Sequence, residues 1–464
     1  MPRGLDLEGK RVLVVGLART GIATALFCAA RGAHVTATEG RAEAEVTEAA
    51  VKLRAAGCAL ELGGHRAETF LAQDLIVPSP GVPADHPLLA AARAANIQVW
   101  SEIELAWHFL RGRLIAITGS NGKTTTTSLI GHILETAGVP TIIAGNIGTP
   151  LISRVMETSG QTVTVLEVSS FQLELIDKFR PDISLLLNLT PDHLDRHASL
   201  EAYARAKARI FENQVEADAA ILNADDPGAS QYAPSKPQVF WFSRSKRVAS
   251  GIFLRDDQIL LRCDGSETVL LRRGEIGLRG DHNVENVMAA AGAAFLAGVP
   301  PQKIAAGVRS FAGVEHRLEF VAQIRGVSFY NDSKATNVDA TLKALDAFTG
   351  GLFVILGGKD KGGDFTLLRE PLRRKAKCAL LIGAAAEKIR ANVSGAVPSE
   401  SVETVENAVR RAFQAAEPGD TVLLAPACAS FDQFHNYEHR GRVFKQRVRQ
   451  LEEECAAGEH ARAS

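Results

Sequence analysis

Cysteine is scarce in this 464-residue chain: Cys28, Cys58, Cys263, Cys378, Cys428 and Cys455, with no C-x-x-C pair among them. That scatter excludes a dense disulfide framework and a zinc ribbon, and it suits a reducing cytoplasm. Excess charge is lacking too. Lys and Arg number 52 against 53 Asp and Glu, a net charge of −1, so no dominant basic footprint for nucleic acid exists. No run approaches the roughly 20 apolar residues needed to span a bilayer, and no membrane partner is expected. The opening MPRGLDLEGKRVLVVG has four apolar residues in its longest run and no small-residue cleavage site behind them. It reads as the start of a fold rather than a signal peptide. Low-complexity tracts and solenoid repeats are also missing.

What is present is ordinary globular composition, 46% hydrophobic and 23% charged. At roughly 150 residues per domain the length suggests about three domains. Apolar runs of strand length alternate with amphipathic segments of helix length, which predicts an α/β chain with largely parallel sheets. The series restarts at LIAITGSNGKTTTT and again near Gly313, giving expected domains at 1–111, 112–313 and 314–464. Residues 250–280 alternate and turn at Asp-Asp and Asp-Gly, as an antiparallel meander would. The C-terminal EEECAAGEHARAS is expected to fray.

The strongest chemical signal is Gly119-Ser120-Asn121-Gly122-Lys123-Thr124-Thr125, which follows the strand LIAIT and opens a helix. Backbone N–H groups of such a loop point at phosphates, Lys123 adds charge, and the Thr124 hydroxyl can ligate Mg²⁺. The glycine spacing departs from the usual phosphate loop, with Ile117 five positions before Gly122. The bland alternative is a glycine-rich turn with an exposed lysine.

The first turn, Gly16-Leu-Ala-Arg19-Thr20-Gly21, resembles a G-x-G-x-x-G with Ala18 in its middle. A nucleotide diphosphate could lie on that helix start, with Glu39 at the next strand end for ribose or base. Arg19, Thr20, Arg41 and Ser79 are grouped with it as substrate contacts. A dehydrogenase and an empty tight turn are the rival readings, although no hydride-transfer chemistry is apparent.

Glu167 ends the apolar strand TVTVLEVSS, and Asp192-His193-Leu-Asp195 follows the strand ISLLLNLT. Both fall at carboxyl ends of strands beside the phosphate loop, where Glu167 and His193 could hold a metal. Lys207, in EAYARAKARIF, is by default one solvated helix charge among several. In the third block three polar loops end strands: Asn331-Asp332-Ser333-Lys334-Ala335-Thr336-Asn337, Gly357-Gly358-Lys359-Asp360-Lys361, and Pro426 to Phe434 with Ser430. They suit an anionic small substrate, or are ordinary loop polarity. Cys428 has no identifiable histidine base and reads as a small buried residue.

Taken together, GSNGKTT, LEVSSFQLE, NLTPDHLDRH, GDHNVENVMAA, HRLE, NDSKATN, LGGKDKGGDF and PACASFDQF resemble the ATP-dependent Mur ligases, in the same order and over essentially the whole chain. NDSKATN and PACASFDQF are similar to those of the members that add D-glutamate. The resemblance implies a Rossmann-like UDP-binding domain, a central phosphate-loop ATPase domain and a Rossmann-like C-terminal domain for the amino acid. It implies ATP, two Mg²⁺ ions, and UDP-N-acetylmuramoyl-L-alanine and D-glutamate as substrates of a monomer. By it Lys123, Thr124 and Glu167 serve the phosphates and first Mg²⁺, while His193 and a carbamylated Lys207 hold the second. Asn283 and Asn286 would lie on the adenine side, Arg317 near the γ-phosphate, and Asp332 at ribose or as an orienting carboxylate. Asn146, Ser169 and Gln172 would meet the muramoyl-alanine part. Thr336, Lys361, Ser430 and the backbone neighbourhood of Phe431 and Tyr437 fall in the implied D-glutamate pocket, and Lys334 is expected to meet a phosphate or carboxylate of the substrates. Another amide-forming ligase of the superfamily, or a non-catalytic nucleotide-binding module, would be the competing functions.

Overall fold

The computed structural model describes residues 4–146, 148–190, 196–197 and 199–463, the side chains of 457–463 excepted. They form two compact units, Met1–Ile276 with His282–Phe311, and Gly277–Asp281 with Ala312–Ser464.

The first unit holds two sheets. Five parallel strands lie in the order Ala59–Leu62, His34–Glu39, Arg11–Val15, Leu75–Pro78, Gln98–Val99. RVLVV and LIVP are almost entirely buried, as central strands covered on both faces must be. The second sheet has nine strands, and its parallel part runs Gln238–Ser243, Ala219–Asn223, Ile183–Leu186, Arg113–Thr118, Val163–Glu167, Thr141–Gly145. Its other edge is the expected meander, Gly251–Arg255, Gln258–Cys263 and Ser266–Arg272, with antiparallel pairing between successive strands.

The first two expected domains share this unit, and the helix Glu102–Trp107 joins their sheets through two buried carboxylates. Glu104 accepts backbone N–H groups of Asp177 at 2.8 Å and Phe179 at 2.8 Å, while Glu102 accepts that of Ile152 at 2.6 Å. Such acceptors satisfy loop amides that would otherwise be buried without partners.

The second unit has a six-stranded sheet in the order Glu319–Ile324, Val327–Asn331, Thr421–Leu424, Leu352–Gly357, Ala376–Ile382, Ser399–Glu403, antiparallel only at its first pair. Val327–Asn331, Thr421–Leu424 and Leu352–Gly357 are adjacent and parallel, so their carboxyl ends lie along one edge. The C-terminal segment does not fray as expected: its backbone continues the helix Tyr437–Ala463. Glu and Ala are strong helix formers, and Arg447 pairs with Glu454 two turns on at 2.7 Å. No helix among the described residues is long and apolar enough to cross a membrane. None of the six cysteines forms a disulfide.

Candidate active site

Strand Arg113–Thr118 lies between Val163–Glu167 and Ile183–Leu186, where the strand order reverses and binding crevices form at carboxyl ends. There the chain turns through Gly119 and Gly122 into the helix Lys123–Thr136. Gly122 has φ +83°, a conformation that glycine adopts without penalty. Its space is closed as well, since a Cβ would stand 2.2 Å from Asn286 Oδ1. No acidic side chain occupies the first helical turn, so its N–H groups and dipole favour an anion. Lys123 Nζ donates to the carbonyls of Gly119 at 2.8 Å and Ser120 at 2.9 Å, which holds its charge over the loop. Thr124 and Thr125 are buried beneath it.

The neighbouring strand clamps the loop. Asn121 N–H donates to Asn188 Oδ1 at 2.8 Å, Ser120 Oγ to the Thr190 carbonyl at 2.9 Å, and the Tyr203 hydroxyl to Ser120 Oγ at 3.2 Å. Reading the sequence missed these three residues as loop supports. Asn188 and Thr190 do stand directly after an apolar strand beside the loop strand, a signal that could have found them. Asn286 also lies behind the loop. Its Oδ1 accepts from Thr126 Oγ1 at 3.3 Å and its Nδ2 donates to Asn283 Oδ1 at 2.9 Å, with both asparagines buried.

Glu167 stands in register with Ile117 and is 3% exposed. Its Oε1 accepts from Asn146 Nδ2 at 3.3 Å, whereas Oε2 is buried with no hydrogen-bond partner among the described residues. A buried carboxylate oxygen is costly unless a donor or cation meets it. Lys207 departs from its default reading as a solvated charge. Its helix, Leu200–Ala208, turns it inward to 2% exposure, where Nζ donates to the Gly119 carbonyl at 2.9 Å and lies 4.7 Å from the Tyr203 ring. Asp192, His193 and Asp195 lie outside the described residues. Among the described residues no three His, Cys, Asp or Glu gather as a metal cluster. The donors that are present, Glu167 Oε2 and the Thr124 hydroxyl, are hard oxygens of the kind Mg²⁺ prefers. They fit that ion.

Ser169 and Gln172 cap one another at the start of the helix Ser170–Leu173. Gln172 N–H donates to Ser169 Oγ at 3.3 Å and Ser169 N–H to Gln172 Oε1 at 3.0 Å. This fixes the chain directly after Glu167.

At the first turn, Gly16 has φ +90°, and a Cβ at Gly21 would meet the Gly16 carbonyl at 1.8 Å. The helix Arg19–Ala29 therefore packs straight onto the turn. Glu39 accepts the Leu17 N–H at 2.9 Å and pairs with Arg41 at 2.8 Å, whose hydrogen bond holds the carboxyl down to about 2. Ser79 Oγ donates to the Gly16 carbonyl at 2.9 Å, and the Thr20 carbonyl accepts from Thr24 Oγ1 at 2.9 Å. Arg19 donates to the Gly148 carbonyl and, with Lys52, brings positive charge to a cavity of about 520 Å³.

In the second unit three loops leave the adjacent strand ends. Backbone bonds join them: Ala427 N–H donates to the Ala335 carbonyl at 3.0 Å, and Lys359 N–H to the Ala429 carbonyl at 2.8 Å. Ser430 is 2% exposed, Thr336 and Lys334 are half-buried, and Lys361 and Phe431 are exposed. The Tyr437 carbonyl accepts from Ser333 Oγ at 2.8 Å. Asp332 accepts the Leu318 N–H at 3.2 Å; burial pushes its carboxyl up to about 6, against the pull of Arg317 and Lys334. Burial likewise raises the Cys428 thiol to about 12, which leaves it inert at neutral pH. Asp360, through Lys388 at 2.6 Å and the N–H groups of Gly362 and Gly363, shapes the middle loop. The most buried support is Arg440, which no feature of the tripeptide HRG singles out.

Three family models cover most of the chain: the Mur ligase MurD-like N-terminal domain at 10–101, the Mur ligase middle domain at 117–294, and the Mur ligase glutamate ligase domain at 316–428. The chain belongs to the Mur ligase family. A protein of Koribacter versatilis named UDP-N-acetylmuramoylalanine–D-glutamate ligase is 54% identical, the match covering 97% of this chain and 99% of that one. A protein of the same name from Acidobacterium capsulatum is 53% identical over 96% and 97%. Among solved structures, the MurF ligase of Thermotoga maritima in complex with ADP has a TM-score of 0.60 at 16% identity, with 96% of each chain covered. That likeness extends the fold comparison across all three sheets.

Proposed function

We propose that this chain joins D-glutamate to UDP-N-acetylmuramoyl-L-alanine at the expense of ATP, in the cytoplasmic stage of peptidoglycan synthesis, as a monomer. The observation that carries this reading is the end-to-end similarity to ligases of that name. A phosphate loop beside a buried carboxylate oxygen that no donor among the described residues meets supports it physically.

A carboxylate is a poor electrophile, so its oxygen first attacks the γ-phosphorus of ATP and ADP leaves. The amine of D-glutamate then attacks the acyl phosphate carbon, and phosphate departs with the carboxylate oxygen. Lys123 and the N–H groups of the loop neutralise the phosphate charge, which helps most where that charge develops. Mg²⁺, held by Thr124 and Glu167 and at a second position by His193 and carbamylated Lys207, supplies further positive charge when bound. Asn146 orients Glu167 for that role, and the Ser169–Gln172 cap fixes the chain beside it. Asn283 and Asn286 brace the loop from the adenine side. Glu39, Arg41, Arg19, Thr20 and Ser79 shape the turn that receives the uridine diphosphate. Thr336, Lys361, Ser430 and the backbone about Phe431 and Tyr437 form the pocket for the amino acid, and Lys334 meets a phosphate or carboxylate.

The test is phosphate release with ATP, UDP-N-acetylmuramoyl-L-alanine and a panel of amino acids. D-Glutamate should support turnover while L-lysine, meso-diaminopimelate and L-glutamate do not. Turnover with one of those and none with D-glutamate would refute the substrate assignment.

A further inference from the structure

Arg440 is fully buried and stands on the helix Tyr437–Ala463 beneath the three strand-end loops of the second unit. Its guanidinium reaches each of them. Nε donates to Ser333 Oγ at 3.0 Å and Nη2 to the Ser333 carbonyl at 2.9 Å, in the first loop. Nη1 donates to the Cys428 carbonyl at 3.1 Å and the Ala429 carbonyl at 3.5 Å, in the loop that carries Ser430. The same nitrogen meets the Gly357 carbonyl at 3.5 Å, where the lysine-bearing middle loop begins. The fit is close: a Cβ at Gly358 would lie 3.1 Å from Nη1 and 2.3 Å from the Ala429 carbonyl.

Every one of these acceptors is neutral. Among the described residues no carboxylate lies within ion-pair distance of Arg440, and the nearby Asp432 is engaged by the Ala384 N–H at 2.9 Å. A buried charge is ordinarily paired, and even a buried ion pair is often replaced as a whole by apolar side chains at no cost in stability. A buried guanidinium with only neutral acceptors is therefore a costly way merely to pack a helix against a sheet. It leaves a fixed positive charge under loops that also carry Lys334 and Lys361.

We infer that Arg440 is a positioning residue of the amino-acid site: its fork sets the spacing of the three loops, and its charge, hydrogen-bonded only to neutral acceptors, favours the carboxylates of the incoming amino acid. This rests on the reading given above for those loops. The fork geometry matters because five fixed donors can bridge three segments at once, which the single ammonium of lysine cannot do. The charge matters because it acts through a low-dielectric interior where screening is weak.

The experiment compares Arg440→Met and Arg440→Lys with the parent chain, and measures KM for each of the three substrates, kcat and thermal midpoint. The parent must first turn over D-glutamate; if it does not, the functional reading has failed and not this inference. Arg440→Met should raise KM for D-glutamate about ten- to hundredfold while KM for ATP and for the UDP-substrate stays within about twofold. Arg440→Lys keeps charge and loses the fork, so its KM for D-glutamate should fall between the two. A merely structural arginine would lower the thermal midpoint and active fraction and leave all three KM values alone, and that result would overturn the inference. If Arg440→Met cannot be recovered folded, Arg440→Lys decides alone, with an unchanged KM for D-glutamate counting against.

Discussion

The ammonium of Lys207 donates to the carbonyl of Gly119 at 2.9 Å, so a residue from a helix 84 positions downstream of Lys123 reaches the same phosphate loop. A carbamate formed on that nitrogen keeps one N–H for the Gly119 carbonyl and adds two hard oxygen donors for Mg²⁺. Lys207→Ala should therefore be nearly inactive in phosphate release. Lys207→Arg should be no better, because guanidinium cannot form a carbamate. An Arg variant with normal rate would remove the carbamate from the account.

Lys123→Ala should abolish phosphate release and leave affinity for the UDP-substrate nearly intact. The loss should be orders of magnitude in rate, because the charge acts on the developing phosphoryl transition state. Calorimetry of the UDP-substrate checks the second half, and a matching loss of affinity there would contradict the division of labour.

Gly122 and Asn286 form a coupled pair. Gly122→Ala introduces a Cβ 2.2 Å from Asn286 Oδ1 and adds the left-handed penalty of roughly 1–2 kcal/mol. KM for ATP should rise about tenfold for that cost. Adding Asn286→Ala relieves the overlap, so the double variant should be less impaired than the two single effects combined. Strict additivity in the double-mutant cycle would show that the two do not meet in solution.

How much of this was legible beforehand follows from where the chemistry lies along the chain. The phosphate loop is contiguous, and its glycines, lysine and threonines declare themselves between an apolar strand and a helix. Lys207 sits between Arg205, in the same short helix, and Arg209 just past its end, and only packing decides which of the three turns inward. Arg440 lies between His439 and Arg442 in an otherwise charged stretch, and its partners are backbone carbonyls that leave no mark on the sequence. The C-terminal segment was misread because charged, alanine-rich residues suit an exposed helix as well as a frayed end.

Glu102 links pH to stability. Burial raises its carboxyl to about 7 from an ordinary 4.5. Between those values the folded chain holds a proton that the unfolded chain has released, so stability falls as pH rises through that window and is flat above it. Glu102→Gln keeps an acceptor for the Ile152 N–H and removes the titration. Its melting temperature should exceed the parent's at about pH 8, by a stabilisation on the order of a few kcal/mol, and approach it at about pH 5. Equal pH dependence in both chains would place the titration elsewhere.

The most direct test of the ligase account follows the carboxylate oxygen. UDP-N-acetylmuramoyl-L-alanine labelled with heavy oxygen at both carboxylate positions is turned over with ATP and D-glutamate, and the phosphate released is analysed by mass. Activation as an acyl phosphate predicts one labelled oxygen in each phosphate and one retained in the new amide. Unlabelled phosphate formed alongside the amide would contradict it.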